Sequence, residues 1–118
     1  MVNPDYYGVT ADTVRRARKR LANHGRRRDG TYYGRYDSGW GINVDDVLHM
    51  GERFDGMSCL VGALALEHGD FYQAVLAATT AFDLHGHGTP NQTVTTWNDT
   101  VDDDTVDQFL DRWEAKLP

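Results

Sequence analysis

Cys59 is the residue in this sequence with the sharpest chemical potential. It is the lone cysteine of the chain and lies in the stretch MSCLVGALALEH. That stretch predicts a helix from Met57 to His68. A thiol in the first turn of a helix has its pKa lowered by the dipole, which favours the nucleophilic thiolate. His85 and His87 follow, and then Asn98. A Cys, His, Asn set is one way to build a cysteine-dependent hydrolase. The imidazole takes the thiol proton and the amide orients the imidazole. The plainer reading is that Cys59, set among Leu, Val and Ala, packs in the core.

Three further groups could do work. Asp83, His85 and His87 offer a carboxylate and two imidazoles, good ligands for zinc and similar ions, but no fourth ligand stands at a diagnostic spacing. The alternative is a polar loop, and no cofactor is expected. Trp97-Asn98-Asp99 could be functional. It could equally be a core plug followed by two turn residues that bond nearby amides. The basic arm is the best surface candidate. Arg15, Arg16, Arg18, Lys19, Arg20, Arg26, Arg27 and Arg28 supply eight of the twelve cations, and no acid falls between Thr13 and Arg28. Such an arm could neutralise several phosphates, with Tyr32, Tyr33 and Tyr36 stacking on exposed bases. No nucleic-acid-binding signature accompanies it, however. The same residues could form a protein-binding surface, since Arg, Tyr and Trp are enriched at hot spots.

The elements that must position these residues are mostly helical. Thr10 or Asp12 can cap a helix over residues 11–23, closed by Gly25. Val14, Ala17, Leu21 and Ala22 give it a narrow apolar stripe. Residues 26–56 are irregular. Tyr32, Tyr33, Tyr36 and Trp40 lie among Gly30, Gly34, Gly39 and Gly41, a mixture that suits a hairpin or an aromatic loop at about 30–44. Asp45 to Met50 reads as a helical turn. The Met57–His68 helix has no polar face before Glu67 and so belongs in the middle of the core. Gly69 stops it, and Asp70 caps a second core helix to about Phe82. With one residue between them, the two form an antiparallel pair. Residues 83–96 read as a loop. Val106, Phe109, Leu110, Trp113 and Leu117 mark a final helix that starts near Asp102–Asp104, with its aspartates at the positive end of the dipole. The expectation is mainly α: a compact bundle of about four helices in one domain spanning 1–118.

Bulk properties agree with this. The chain has 118 residues, 40% hydrophobic and 11% aromatic, which suits one folded domain rather than disorder. No apolar run approaches the roughly 20 residues of a membrane span. The first residues carry no basic start leading into an apolar stretch, and one cysteine cannot form an internal disulfide. Together these favour a cytoplasmic protein. The net charge of −6 is unevenly spread: residues 1–60 carry +2 and residues 61–118 carry −8. The basic arm therefore meets either a polyanionic partner or the protein's own acidic half. The sequence leaves oligomeric state open.

Two landmarks together carry a family likeness. Cys59-Leu60-Val61-Gly62-Ala63-Leu64 is followed by Trp97-Asn98-Asp99 and then by an amphipathic helix. In that order they resemble a family of short uncharacterised proteins from actinobacteria and their bacteriophages. Its pattern is a Cys-x-x-Gly-Ala-Leu core helix and a Trp-Asn-Asp ahead of the C-terminal helix. The likeness covers residues 11–117. The basic run Arg26–Arg28 and the histidine loop depart from the pattern. The resemblance implies no activity. It does imply a phage or actinobacterial origin, and hence an accessory protein that binds a host or partner protein. The alternatives are nucleic-acid binding through residues 15–28 and a hydrolase using Cys59.

Overall fold

In this computed structural model, residues 5–35, 39–86 and 92–117 are described. The first helix, α1, spans Ala11–His24, and its buried side chains are Thr13, Val14 and Ala17. Thr10 caps it: its hydroxyl accepts from the Thr13 amide, and Thr13 Oγ1 accepts from the Thr10 amide. Gly25 ends it at φ +89°, a conformation that favours glycine. A short strand, β1, covers Tyr33–Gly34. Helix α2 spans Val44–Met50, and Asn43 Oδ1 caps it by accepting from the amides of Asp45 and Asp46. A 3-10 turn over Gly51–Arg53 leads to strand β2, Met57–Ser58.

The centre of the molecule is α3, Leu60–His68, in which every residue from Leu60 to Leu66 is buried. Its sequence has no polar face over that run, so water exclusion holds it in place from all sides. Gly69 closes it at φ +85°, and Asp70 Oδ1 then accepts from the Gln73 amide to start α4, Phe71–His85. Helix α5 spans Val94–Thr100, and α6 spans Asp103–Lys116 behind the cap Asp102. Helix α1 packs on both α3 and α6, and α3 also packs on α4. Phe82, Trp97, Phe109 and Trp113 form a chain of ring contacts 5.2–6.2 Å apart that joins α4, α5 and α6. Such tilted and edge-on pairs add about 0.5–1.5 kcal/mol each beyond area burial.

The helical expectation holds, with corrections in detail. Six α-helices are described rather than about four. The additional ones are α2, longer than a single turn, and α5, which falls on the stretch read as loop and turn. Here Thr93 supplies the cap that starts α5, its hydroxyl accepting from the Thr96 amide. The 30–44 segment is not a hairpin among its described residues. Strand β1 pairs antiparallel with the distant β2, Tyr33 against Ser58 and Gly34 against Met57. The reason lies in Cys59, which caps α3 in an extended conformation, so Met57 and Ser58 continue outward as strand. Helix α3 therefore begins at Leu60 rather than Met57. Tyr36 falls outside the described residues.

Candidate functional site: two buried arginines and an exposed indole

Among the described residues, those with chemical potential do not converge. Cys59 is buried, and its sulfur accepts from the Gly62 amide. Burial pushes its pKa up to about 11, against the lowering expected from a helix N-terminus; the amide bond from Gly62 opposes the rise without cancelling it. Desolvation of the thiolate outweighs the dipole here. Asn98 is also fully buried, and its amide is committed to the backbone. Oδ1 accepts from the Leu60 amide at 3.1 Å, and Nδ2 donates to the Arg27 carbonyl at 2.8 Å and to Asp99 Oδ1 at 3.0 Å. His85 sits at the end of α4, where Nε2 meets the Tyr6 hydroxyl at 3.4 Å. Its pKa is lowered, first by burial and then by the charges of Lys116 and Arg112. Among the described residues no hydrogen bond joins Cys59 to His85 or His85 to Asn98. No group of three or more His, Cys, Asp or Glu side chains among them is placed to hold a metal. Asp83 is exposed on α4, and His87 lies outside the described residues.

Part of the basic arm is turned away from the surface. Arg26 and Arg27 are buried, at 4% and 0% exposure. Arg26 Nε donates to Asp103 Oδ1 at 2.9 Å, Nη2 donates to the Val101 carbonyl at 2.6 Å, and Nη1 donates to the Asn98 carbonyl. Arg27 donates through Nε to Thr31 Oγ1, and through Nη2 to Asp29 Oδ2 and the Gly39 carbonyl. A buried guanidinium is tolerated when its N–H groups find acceptors; two backbone carbonyls and Asp103 serve Arg26, and Thr31, Asp29 and one carbonyl serve Arg27. Gly34 makes the room: a Cβ there would overlap the Arg27 guanidinium. Thr31 then holds the Asp29 carboxyl below the usual carboxylate range, chiefly by donating its hydroxyl, with the Arg27 charge a smaller cause.

The other arm cations are paired across helices. Arg18 donates to Asp107, Asp111 and Glu114 on α6, which raises its pKa further, with the Asp107 bonds leading. Arg20 Nε donates to Glu67 Oε1 at 3.1 Å, and Nη1 donates to the Phe54 carbonyl. Arg15 reaches Asp12 and Glu114, Arg16 reaches Asp12 and Glu67, and Arg28 reaches Asp103. Among the described residues Lys19 is the arm cation with no acidic partner. Of the two fates open to the arm, the structure displays neutralisation by the acidic half. Tyr33 also leaves the surface set: it is buried, and its hydroxyl donates to the Gly62 carbonyl at 2.8 Å. Tyr32 is half-buried, edge-on against Phe71 at 4.8 Å. Arg15, Arg16, Lys19 and Arg28 remain accessible. Two local facts decide these burials, the space left at Gly34 and the carbonyls freed between α5 and α6, and neither has a sequence pattern of its own.

Trp40 stands apart. It is 96% exposed, while Trp97 and Trp113 are at 3% and 0%. Its loop is fixed at the base, where Arg27 binds the Gly39 carbonyl and the Ile42 amide donates to the Tyr33 carbonyl at 2.9 Å. Gly39 lies at φ +99°, which a side chain would strain. The sequence placed Trp40 in a hairpin or aromatic loop, and no pattern there marks that Tyr33 turns inward while Trp40 faces water.

No helix is long and apolar enough to cross a membrane among the described residues. No curated protein and no solved structure matches the chain. Residues 7–115 match a family described as a family of unknown function, DUF6197. That span contains the Cys59 cap, the α3 core, the buried arginines and Trp97-Asn98-Asp99, so the chain belongs to this uncharacterised family.

Proposed function

We propose that this chain is a partner-binding domain that performs no chemistry of its own and docks another protein through the loop carrying Trp40. The supporting observation is an indole 96% exposed on a loop whose base is pinned by a buried arginine. A large aromatic left in water forgoes roughly 1.5–3 kcal/mol of burial, which a partner can recover. A loop fixed beforehand loses less entropy on docking. Trp is also among the residues most enriched at hot spots. The accessible Arg15, Arg16, Lys19 and Arg28 supply further charged surface. The phage or actinobacterial origin implied by the resemblance makes a host factor a natural target.

Capture from host lysate on the immobilised protein tests this, with Trp40→Ala as the comparison. The partner should be lost while the circular dichroism spectrum stays unchanged. Equal capture by both proteins defeats the reading. A charge-reversal arm belongs at Arg15, Arg16 and Arg28 only. Reversal at Arg26 or Arg27 would place a carboxylate against buried carbonyls and unfold the protein.

A further inference from the structure

An open cleft of about 530 Å³ lies where the end of α4 meets the last turns of α6. Leu84 and Ala115 give it an apolar wall that water reaches; Leu84 is 54% exposed. Arg112, Lys116 and His85 also line it. Arg112 is half-buried, and its Nε and Nη2 both donate to the His85 carbonyl, at 3.2 and 2.9 Å. That contact satisfies a carbonyl left free at the end of α4 and holds the guanidinium in place. Nη1 finds no acceptor among the described residues. Lys116, four residues on and so on the same face of α6, has no acidic partner among them. The acids of these turns are engaged toward α1. Asp111, which also lines the cleft, accepts from Arg18 at 3.0 Å, and Glu114 accepts from Arg18 at 3.1 Å. His85 registers the positive field that remains: after burial, Lys116 and Arg112 are what hold its pKa down.

We infer that this cleft binds a small organic carboxylate carrying an apolar chain, with its oxygens on Arg112 Nη1 and Lys116 Nζ and its chain on Leu84 and Ala115. A guanidinium already fixed by one contact offers its remaining N–H groups to a carboxylate in a set geometry, and little freedom is lost on binding. The size falls within the range of sites that hold ligands, about 300–1,000 Å³, and an apolar wall with a few convergent polar groups is their common make-up. The helix ends at this cleft are carbonyl ends, whose dipoles oppose a doubly charged phosphate more than a singly charged carboxylate. A free acid and the last residue of a peptide share the chemistry. None of these residues belongs to the Trp40 loop, and the site stands whether or not that loop docks a protein.

The probes are hexanoate and a tripeptide ending in a free leucine carboxylate, titrated into the labelled full-length protein and followed by amide chemical shifts. The controls are hexanamide, which keeps the chain without the charge, and inorganic phosphate. At least one probe should saturate with a Kd of about 1 mM, as fits ligands this small, and move the amides of Leu84, Gly86, Arg112 and Ala115. The tighter of the two names the source. The His85 ring, followed in the same titration, should take up its proton at higher pH once a carboxylate sits beside it. Lys116→Glu and Leu84→Ser, both at exposed positions, should each weaken binding at least about threefold. If one variant unfolds, the other carries the test. Absence of saturation by both probes, equal affinity for hexanamide or phosphate, or shifts centred elsewhere overturns the inference. Trp40→Ala should leave the affinity unchanged, so failure of the docking-loop reading and failure of the cleft reading give different results.

Discussion

Asn98 shows how a residue with catalytic potential becomes a fastener. Its carbonyl oxygen holds the first amide of α3 and its amide group holds the carbonyl of Arg27, so one side chain ties three segments together. Asn98→Ala leaves a buried N–H and a buried C=O unsatisfied, at about 1–3 kcal/mol each. The expected loss in urea unfolding is about 2–4 kcal/mol with an unchanged m-value; a loss below about 1 kcal/mol would show that the contacts do not bear weight. Nothing in the sequence separates these roles, because Asn at a turn and Asn at a triad are the same letter. Cys59 is alike in this respect: its place at the start of a helix was readable, but whether water reaches it depends on the Tyr32–Tyr33 segment that folds over it. The Cys59 amide donates to the Tyr32 carbonyl at 3.0 Å, which closes that cover.

Elements were more legible than residues where periodicity is strong and less so where capping decides. The apolar run of α3 and the heptad-like spacing of α6 announce themselves. Asp70 and Gly69 mark the joint between α3 and α4, and both act as expected. Helix α5 was hidden because Thr95, Thr96, Asn98, Asp99 and Thr100 are poor helix formers, and tertiary packing of Val94 and Trp97 overrides that weakness. The β1–β2 pair was hidden because two-residue strands carry no alternation. Gly62 explains how closely these parts meet. A Cβ there would lie 2.8 Å from the Tyr32 carbonyl oxygen and 3.0 Å from the Tyr33 ring, on top of α3. Gly62→Ala should therefore destabilise by about 1–3 kcal/mol despite the better helix propensity of alanine, because backbone must move. Thermal unfolding reads this directly, and a gain in Tm would contradict the packing described.

At the scale of the whole molecule, the charge asymmetry resolves into internal pairing, while burial of one imidazole and two hydroxyl–carboxylate bonds set the response to acid. His85 is held below its ordinary pKa, so the unfolded chain takes up that proton first. Stability then falls as pH drops through about 6.5, and the loss is complete once the folded-state pKa is passed. The carboxyls of Asp29 and Asp102 are held low chiefly by the Thr31 and Thr105 hydroxyls. Their contribution is present above about pH 4 and disappears below it. Tm should thus decline in two stages between neutral pH and pH 3, and His85→Gln should remove the upper stage alone. A curve identical to that of the native protein would place the upper stage elsewhere.

The acceptors of Arg26 carry a consequence for how the protein comes into being. Two of them belong to Asn98 and Val101, more than seventy positions further along the chain. During synthesis, the first half leaves the ribosome with a guanidinium destined for a dry interior and nothing yet made to receive it. That half cannot settle ahead of the second. A gene split anywhere between the two would yield fragments that become ordered only when mixed.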